Sequence, residues 1–271
     1  MNALTLKIIA VVCMLLDHIG YITGDIVLRS VGRLAFPIFA FLIANGFRHT
    51  RSVPAYALRL LAFATLSEVP YDLFVSGKST LVEFSGLLPD IKLDNVFFTL
   101  LLGLCFLAAN DAYKKRGFKY AKLLSVLTFV FLAALTGFIS ADYGALGVAW
   151  VAMFGIFDVA EKKNRLPLLA GAALLSAWNI ISKYITLGIL NLTGINISKI
   201  VGIVYFFQGG KLSYINLLQP LAILSVALII FYNGKSGMPE NRIAKRATQY
   251  AFYAFYPLHL LALYFVAYIV L

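Results

Sequence analysis

Charge is scarce in this chain: Asp, Glu, Lys and Arg make up 13% of its 271 residues, against roughly a quarter in a soluble domain. Acidic residues are the rarer kind, 12 against 23 basic ones. Histidine occurs three times and cysteine twice. The two thiols, Cys13 and Cys105, both sit in apolar runs, which gives no disulfide framework and no metal-ligand spacing, so both read as small packing residues. HExxH, CxxC and GxSxG elements are missing, so zinc hydrolysis and a serine nucleophile elbow have no support and no metal is expected. No internal repeat is visible, nor a polar segment long enough for a separate soluble domain, so residues 1–271 read as one domain.

What fills the chain instead is hydrocarbon. Apolar residues make up 61% of it and the mean hydropathy is +0.88. About nine runs approach the ~20 residues that a bilayer crossing needs: 4–22, 26–47, 54–74, 94–110, 120–139, 143–160, 166–189, 213–232 and 249–270. The expected fold is therefore all-α, a polytopic transmembrane bundle of about 9–10 spans surrounded by membrane lipid. The first run is long, contains Asp17 and His18 and lacks a small-residue cleavage site, so it reads as a span and not as a removable signal. Basic residues collect in alternate connections: Arg48 and Arg51, then Lys114, Lys115 and Arg116, then Lys162, Lys163 and Arg165, then Lys235, Arg242, Lys245 and Arg246. By the positive-inside rule these loops and the N-terminus face the cytoplasm, as in a bacterial plasma membrane. The same bias accounts for the net charge of +11 without a nucleic-acid partner. The short apolar piece at 200–208 reads as re-entrant or interfacial, because a full crossing there would turn the basic loop after it outward.

On that topology the polar residues within spans gather in the outer half of the bilayer. Asp17, His18 and Tyr21 end the first span, and Arg33 lies about two turns into the second. Glu68 and Asp72 close the third, Asn95 and Thr99 open the fourth, Asp142 opens the sixth as a helix cap, and Tyr256 and His259 lie near the middle of the last. A charge at such depth costs on the order of 2.5–3.5 kcal/mol on the most forgiving scale, so residues of this kind are paired or functional. Glu68 with Asp72, Asn95 with Thr99, and Asp17 with Tyr21 are each four residues apart and share a helix face. His18 points about 100° away from Asp17, so either one is free to meet Arg33 or another span.

Two histidines, an arginine and several carboxylates in a dry cavity suit acid–base catalysis. His18 is placed to deprotonate an amine or hydroxyl or to carry an acyl group in transit, Arg33 to stabilise an oxyanion or hold Asp17, and His259 to carry a second proton. Glu68, Asp72, Asn95, Thr99, Tyr21 and Tyr256 are the candidate substrate-binding residues. The rival reading is a proton-coupled transporter or flippase that relays protons through the same groups, although no repeated half with matching broken helices is seen. A further rival is a structural partner in an assembly, which leaves the buried charges without a purpose.

The segments Asp17-His18-Ile19-Gly20-Tyr21, GRLAFPIFAFLIANGFRHTR at 32–51, LRLLAFATLSEVPYDL at 58–73, NVFFTLLLGL at 95–104, YNGKSG at 232–237 and FYAFYPLHLL at 252–261 resemble the TraX family over nearly the whole chain. The family takes its name from a conjugative-pilin acetyltransferase that acetylates the pilin's N-terminal amine, and it is similar to membrane acyltransferases with a histidine in an early span. The resemblance implies acetyl-CoA as donor and an exported peptide, pilin, glycan or lipid as acceptor. It makes His18 the leading catalytic residue, with Asp17 and Arg33 beside it. Asn45 departs from the family pattern, which often has an acidic residue there. With acyl-CoA supplied from the cytosol, its nucleotide end is expected on the basic inner loops, around Arg48, Arg51, Arg59, Lys114 and Arg116, with the thioester reaching outward to His18.

Overall fold

The computed structural model describes residues 1–76, 93–193 and 218–270. Among them are ten α-helices and no strand: α1 (Ala3–Thr23), α2 (Ile26–Gly32), α3 (Ala35–His49), α4 (Val53–Ser76), α5 (Val96–Lys115), α6 (Ala121–Phe138), α7 (Gly144–Ile156), α8 (Arg165–Thr193), α9 (Leu224–Ile230) and α10 (Arg242–Phe265). A 3-10 turn, Gln219–Ile223, leads into α9, and a π-helical turn, Val266–Val270, follows α10.

Among the described residues, five helical stretches are long and apolar enough to cross a membrane: Ala3–Thr23, Ile26–His49, Val96–Lys115, Ala121–Phe138 and Arg242–Tyr268. The chain is a multi-pass membrane protein. Its outward faces are hydrocarbon, with Leu123, Val126, Leu127, Val130 and Phe131 of α6 and Leu58, Leu61 and Leu66 of α4 all exposed. Lipid is the medium in which such a surface is stable.

The expected runs map onto the helices unevenly. Run 26–47 is interrupted: α2 ends at Gly32, a tight turn passes through Arg33 and Leu34, and α3 starts at Ala35. Pro37 falls in the first turn of α3, where its missing N–H has no helical partner to lose. Run 54–74 is helical throughout as α4 but carries Arg59, Glu68 and Asp72 and falls outside the five. Run 143–160 shortens to the 13-residue α7. That helix is sheathed by α3, α5, α6 and α8 and buries Trp150, Val151 and Phe154 in the core. Run 166–189 lies within α8, and 213–232 is described only from residue 218 as the 3-10 turn and α9. The segment 200–208 lies outside the described residues.

One end of the bundle gathers the N-terminus and the basic connections. The backbone N–H groups of Ala3 and Leu4 donate to the carbonyls of Lys235 and Ser236, tying the start of α1 to the loop after α9. Arg48, at the end of α3, donates to the carbonyls of Phe154 and Gly155 at the end of α7 and lies 3.8 Å from Asp158. The opposite end holds the α1–α2 turn, the start of α5 and the α6–α7 turn.

Candidate functional site

The α1–α2 turn decides which residues meet. Gly24 closes α1 in the left-handed conformation (φ 71°), which glycine adopts without a Cβ penalty. Asp25 then caps α2, its Oδ1 accepting from the N–H groups of Val27 (2.7 Å) and Leu28 (3.1 Å). The chain therefore doubles back at once and lays α2 along the last turns of α1. A Cβ on Gly20 would lie 2.9 Å from the Arg29 backbone nitrogen, and one on Gly32 would run into the Asp17 carboxylate. That closeness puts Asp17 between two guanidiniums. Arg29 Nη1 donates to Asp17 Oδ2 at 2.7 Å, and Arg33 Nη2 donates to Oδ1. Both arginines are buried, Arg29 Nε has no hydrogen-bond partner among the described residues, and Asp142 is a second carboxylate within electrostatic range of both.

His18, on another side of α1, meets α10. Its Nδ1 lies 2.7 Å from His259 Nε2, with the rings stacked at 4.9 Å between centroids. His259 Nδ1 in turn lies 2.8 Å from the Phe255 backbone carbonyl. A carbonyl only accepts, so His259 Nδ1 carries the hydrogen and, in the neutral ring, Nε2 is a lone pair. His18 Nδ1 must then donate, which leaves His18 Nε2 as a lone pair with no hydrogen-bond partner among the described residues. The network thus fixes both tautomers and leaves one ring nitrogen with a lone pair to accept a proton. Phe74 and Tyr256 flank the His18 ring at 5.0 and 6.4 Å, and Phe255 stacks on His259. Arg29 and Arg33 lie within electrostatic range of His18.

A third polar group joins α4, α5 and the α6–α7 turn. Asn95 caps α5 by accepting from the Phe97 N–H at 3.1 Å, while its amide nitrogen donates to the Ala64 carbonyl (2.8 Å) and to Glu68. Glu68 also accepts from the Asp94 N–H at 2.9 Å. Thr99 donates to the Asp142 carbonyl, and the Asp142 N–H donates to the Asp94 carbonyl at 2.9 Å. Asn95 and Thr99 are fully buried and bonded to protein. Asp142, expected as the cap of α7, instead accepts from the Tyr143 N–H, and Tyr143 occupies the cap position in the left-handed conformation (φ 61°) with its ring stacked on Phe36. The turn bends so tightly here that the carboxylate falls one residue short of the helix.

A cavity of about 440 Å³ opens at the basic end. Two helical stripes form its walls. On α1, Lys7, Val11 and Met14 continue to His18, and on α10, Lys245, Gln249, Phe252 and Tyr256 continue towards His259. At 1.5 Å per residue, Lys7 lies about 17 Å below His18 and Lys245 about 21 Å below His259. Arg59 and His49 also line the cavity, and no carboxylate among the described residues does. Arg59 lies over the Tyr56 ring, 5.7 Å from its centroid, and its Nε is buried without a hydrogen-bond partner among the described residues. The deep end is apolar, built from Leu60, Val96, Phe97 and Leu100, with Tyr256 beside them.

Residues 3–267 match the TraX protein family. The chain belongs to that family. It is also similar to a protein of Dichelobacter nodosus described as "Probable fimbrial assembly protein FimC, serogroup H1", 27% identical over 269 residues that cover 96% of this chain and 93% of the relative. No solved structure matches it.

In this TraX protein the residues singled out by sequence fall into separate groups. Asp17 and Arg33 form the ion cluster, and His18 and His259 form the imidazole pair, with Tyr256 against both rings. Tyr21, partly exposed, sits over Arg29 and donates to the Val75 carbonyl at 3.4 Å. Asp72, half-buried, accepts Ser76 Oγ on its carbonyl at 2.6 Å. Of the five basic residues expected near a donor nucleotide, Arg59 lines the cavity. Arg48 is turned onto the end of α7, Arg51 is exposed beyond α3, and Lys114 and Arg116 are exposed at the end of α5, outside the lining. Sequence reasoning passed over Arg29, Lys7 and Lys245. Arg29 stands four residues before Arg33 on one helix face, and the two lysines head the stripes that end at the histidines.

Proposed function

We propose that this protein is a membrane-embedded acetyltransferase that moves an acetyl group from cytosolic acetyl-CoA to an amine, such as a peptide N-terminus, or a hydroxyl on an exported pilin, peptide, glycan or lipid. The observation that carries this reading is the pair of stripes that lead from a basic cavity, with no carboxylate among its described lining residues, towards a histidine whose Nε2 is an unpartnered lone pair. The phosphates of CoA suit Lys7, Arg59 and Lys245 at the mouth, and the thioester end suits the apolar interior. His18 Nε2 takes the proton of the attacking amine as its nitrogen bonds to the thioester carbon. The C–S bond then breaks and the departing thiolate takes that proton from His18. Arg29 and Arg33, held by Asp17 and in electrostatic range of His18, are the guanidiniums that would stabilise the oxyanion formed in between. Membership of the TraX family, and the fimbrial-assembly description of the Dichelobacter relative, favour a surface-filament subunit as acceptor and the bacterial inner membrane as location.

The test is turnover of acetyl-CoA by the purified protein in nanodiscs with pilin N-terminal peptides as acceptors. His18→Ala is expected to lower the rate by roughly 10²–10⁴-fold, the usual contribution of a general base. His259→Phe keeps the ring stacking but leaves His18 Nδ1 without an acceptor, so activity falls and the pH profile moves. Wild-type turnover by folded His18→Ala protein sinks the mechanism.

A further inference from the structure

We propose that Tyr256 is the ruler that restricts the donor to short acyl chains. The inference rests on the acyl-transfer reading above. Tyr256 lines the cavity, while neither His18 nor His259 does. Its ring lies 6.4 Å from the His18 ring and 5.6 Å from that of His259, so together with Met14, one turn before His18 on α1, it walls the donor's space off from the histidines. The partition is held firmly. Tyr256 is 4% exposed, and Phe97 packs edge-on against it at 5.0 Å. Around it the wall is made of Leu60, Leu100 and Phe97, all buried, so no neighbouring surface yields to a longer chain without repacking.

This arrangement has a consequence for the donor. A thioester carbonyl that comes up beside the ring towards His18 carries its acyl tail into space bounded by the ring itself. An acetyl methyl fits there, whereas each further methylene competes with the phenol. One methylene too many in an apolar pocket is worth roughly 10–200-fold in discrimination. Shortening residue 256 removes the obstacle and leaves His18, His259 and the basic mouth in place.

The experiment compares kcat/KM for acetyl-, propanoyl-, butanoyl- and hexanoyl-CoA in wild type, Tyr256→Ala, Tyr256→Leu and Tyr256→Phe, with thermal stabilisation of each protein by each thioester as a second readout. Wild type is expected to prefer acetyl over butanoyl by at least roughly tenfold. Tyr256→Ala and Tyr256→Leu are expected to lose or invert that ratio, and Tyr256→Phe, which keeps the ring, to retain it. The ratio within one protein is read, so a general loss of activity through poor folding does not mimic the result, and Tyr256→Leu serves where the alanine variant does not fold. If wild type uses acetyl-CoA and the shortened variants keep its chain-length order, the ruler is overturned and the transferase reading stands. If wild type neither turns over nor is stabilised by any acyl-CoA, both fall.

Discussion

At Asp17 one carboxylate holds two guanidiniums inside a hydrocarbon-clad bundle, and the geometry is tight enough to need a glycine opposite. The carboxylate oxygens take one arginine each, so neither guanidinium is left without a counter-charge. Removing one partner of a buried ion pair strands the other, at about 3–5 kcal/mol. Asp17→Asn is therefore expected to lower stability by an amount in that range, read as thermal unfolding in detergent. Arg29→Met in the same background should recover part of the loss, because it removes one of the stranded charges. Additive losses in the double variant would mean that the two residues act independently. Gly32→Ala is expected to behave like a mild form of Asp17→Asn, since its methyl pushes directly on the carboxylate.

Between elements, the centre of the molecule is a contact of small residues. Gly103 of α5 faces Val151 of α7, and Gly147 of α7 faces the Thr99 methyl, where an added Cβ would lie 2.7 and 2.3 Å away respectively. In lipid, helices gain little from apolar burial alone, and close backbone approach is what lets dispersion and hydrogen bonds hold them. Gly147→Ala should therefore cost about 1–3 kcal/mol as overpacking and pull Thr99 off the Asp142 carbonyl. Thr99→Val, which only removes the hydroxyl bond, should cost about 0.5–1.5 kcal/mol. Thermal unfolding of the two variants orders them; an equal loss would show that the hydrogen bond, and not the fit, holds α5 to α7. This level was only partly legible in the sequence. Helices, an apolar exterior and polar residues grouped towards one end follow from composition and from four-residue spacing. Which residues meet does not: Asp17 and His18 point in different directions on α1, and only the tight turn at Gly24 and Asp25, which brings Arg29 and Arg33 alongside, commits Asp17 to the arginines and leaves His18 to α10. Arg48 has a contact of the same kind that spacing does not show. A basic residue after an apolar run reads as a loop charge, yet here the end of α7 draws it in as a cap on unsatisfied carbonyls.

For the molecule as a whole the decisive question is which end faces the cytosol, because a donor cavity is useful only on the side that holds acyl-CoA. The cavity mouth is formed by the first turns of α1 and α10, the end of α3 and the loop through Gly234, Ser236 and Met238. The basic connections cluster at that same end, so the positive-inside rule predicts that the cavity faces the cytoplasm. Two native thiols leave a low background for labelling, since Cys13 is buried and Cys105 faces outward from an apolar stretch of α5. A cysteine at Ser236 should react with a membrane-impermeant maleimide only in opened cells, and one at Ser140, in the α6–α7 turn at the other end, should react in intact cells. Acetyl-CoA should then slow labelling of Ser236→Cys and leave Ser140→Cys unchanged, because only the first lines the cavity. Labelling of Ser236→Cys in intact cells would turn the molecule over and put the cavity on the side without acyl-CoA. The histidine pair would then have to work on a substrate from outside the cell, and acetyl transfer from a cytosolic donor would be excluded on geometry alone.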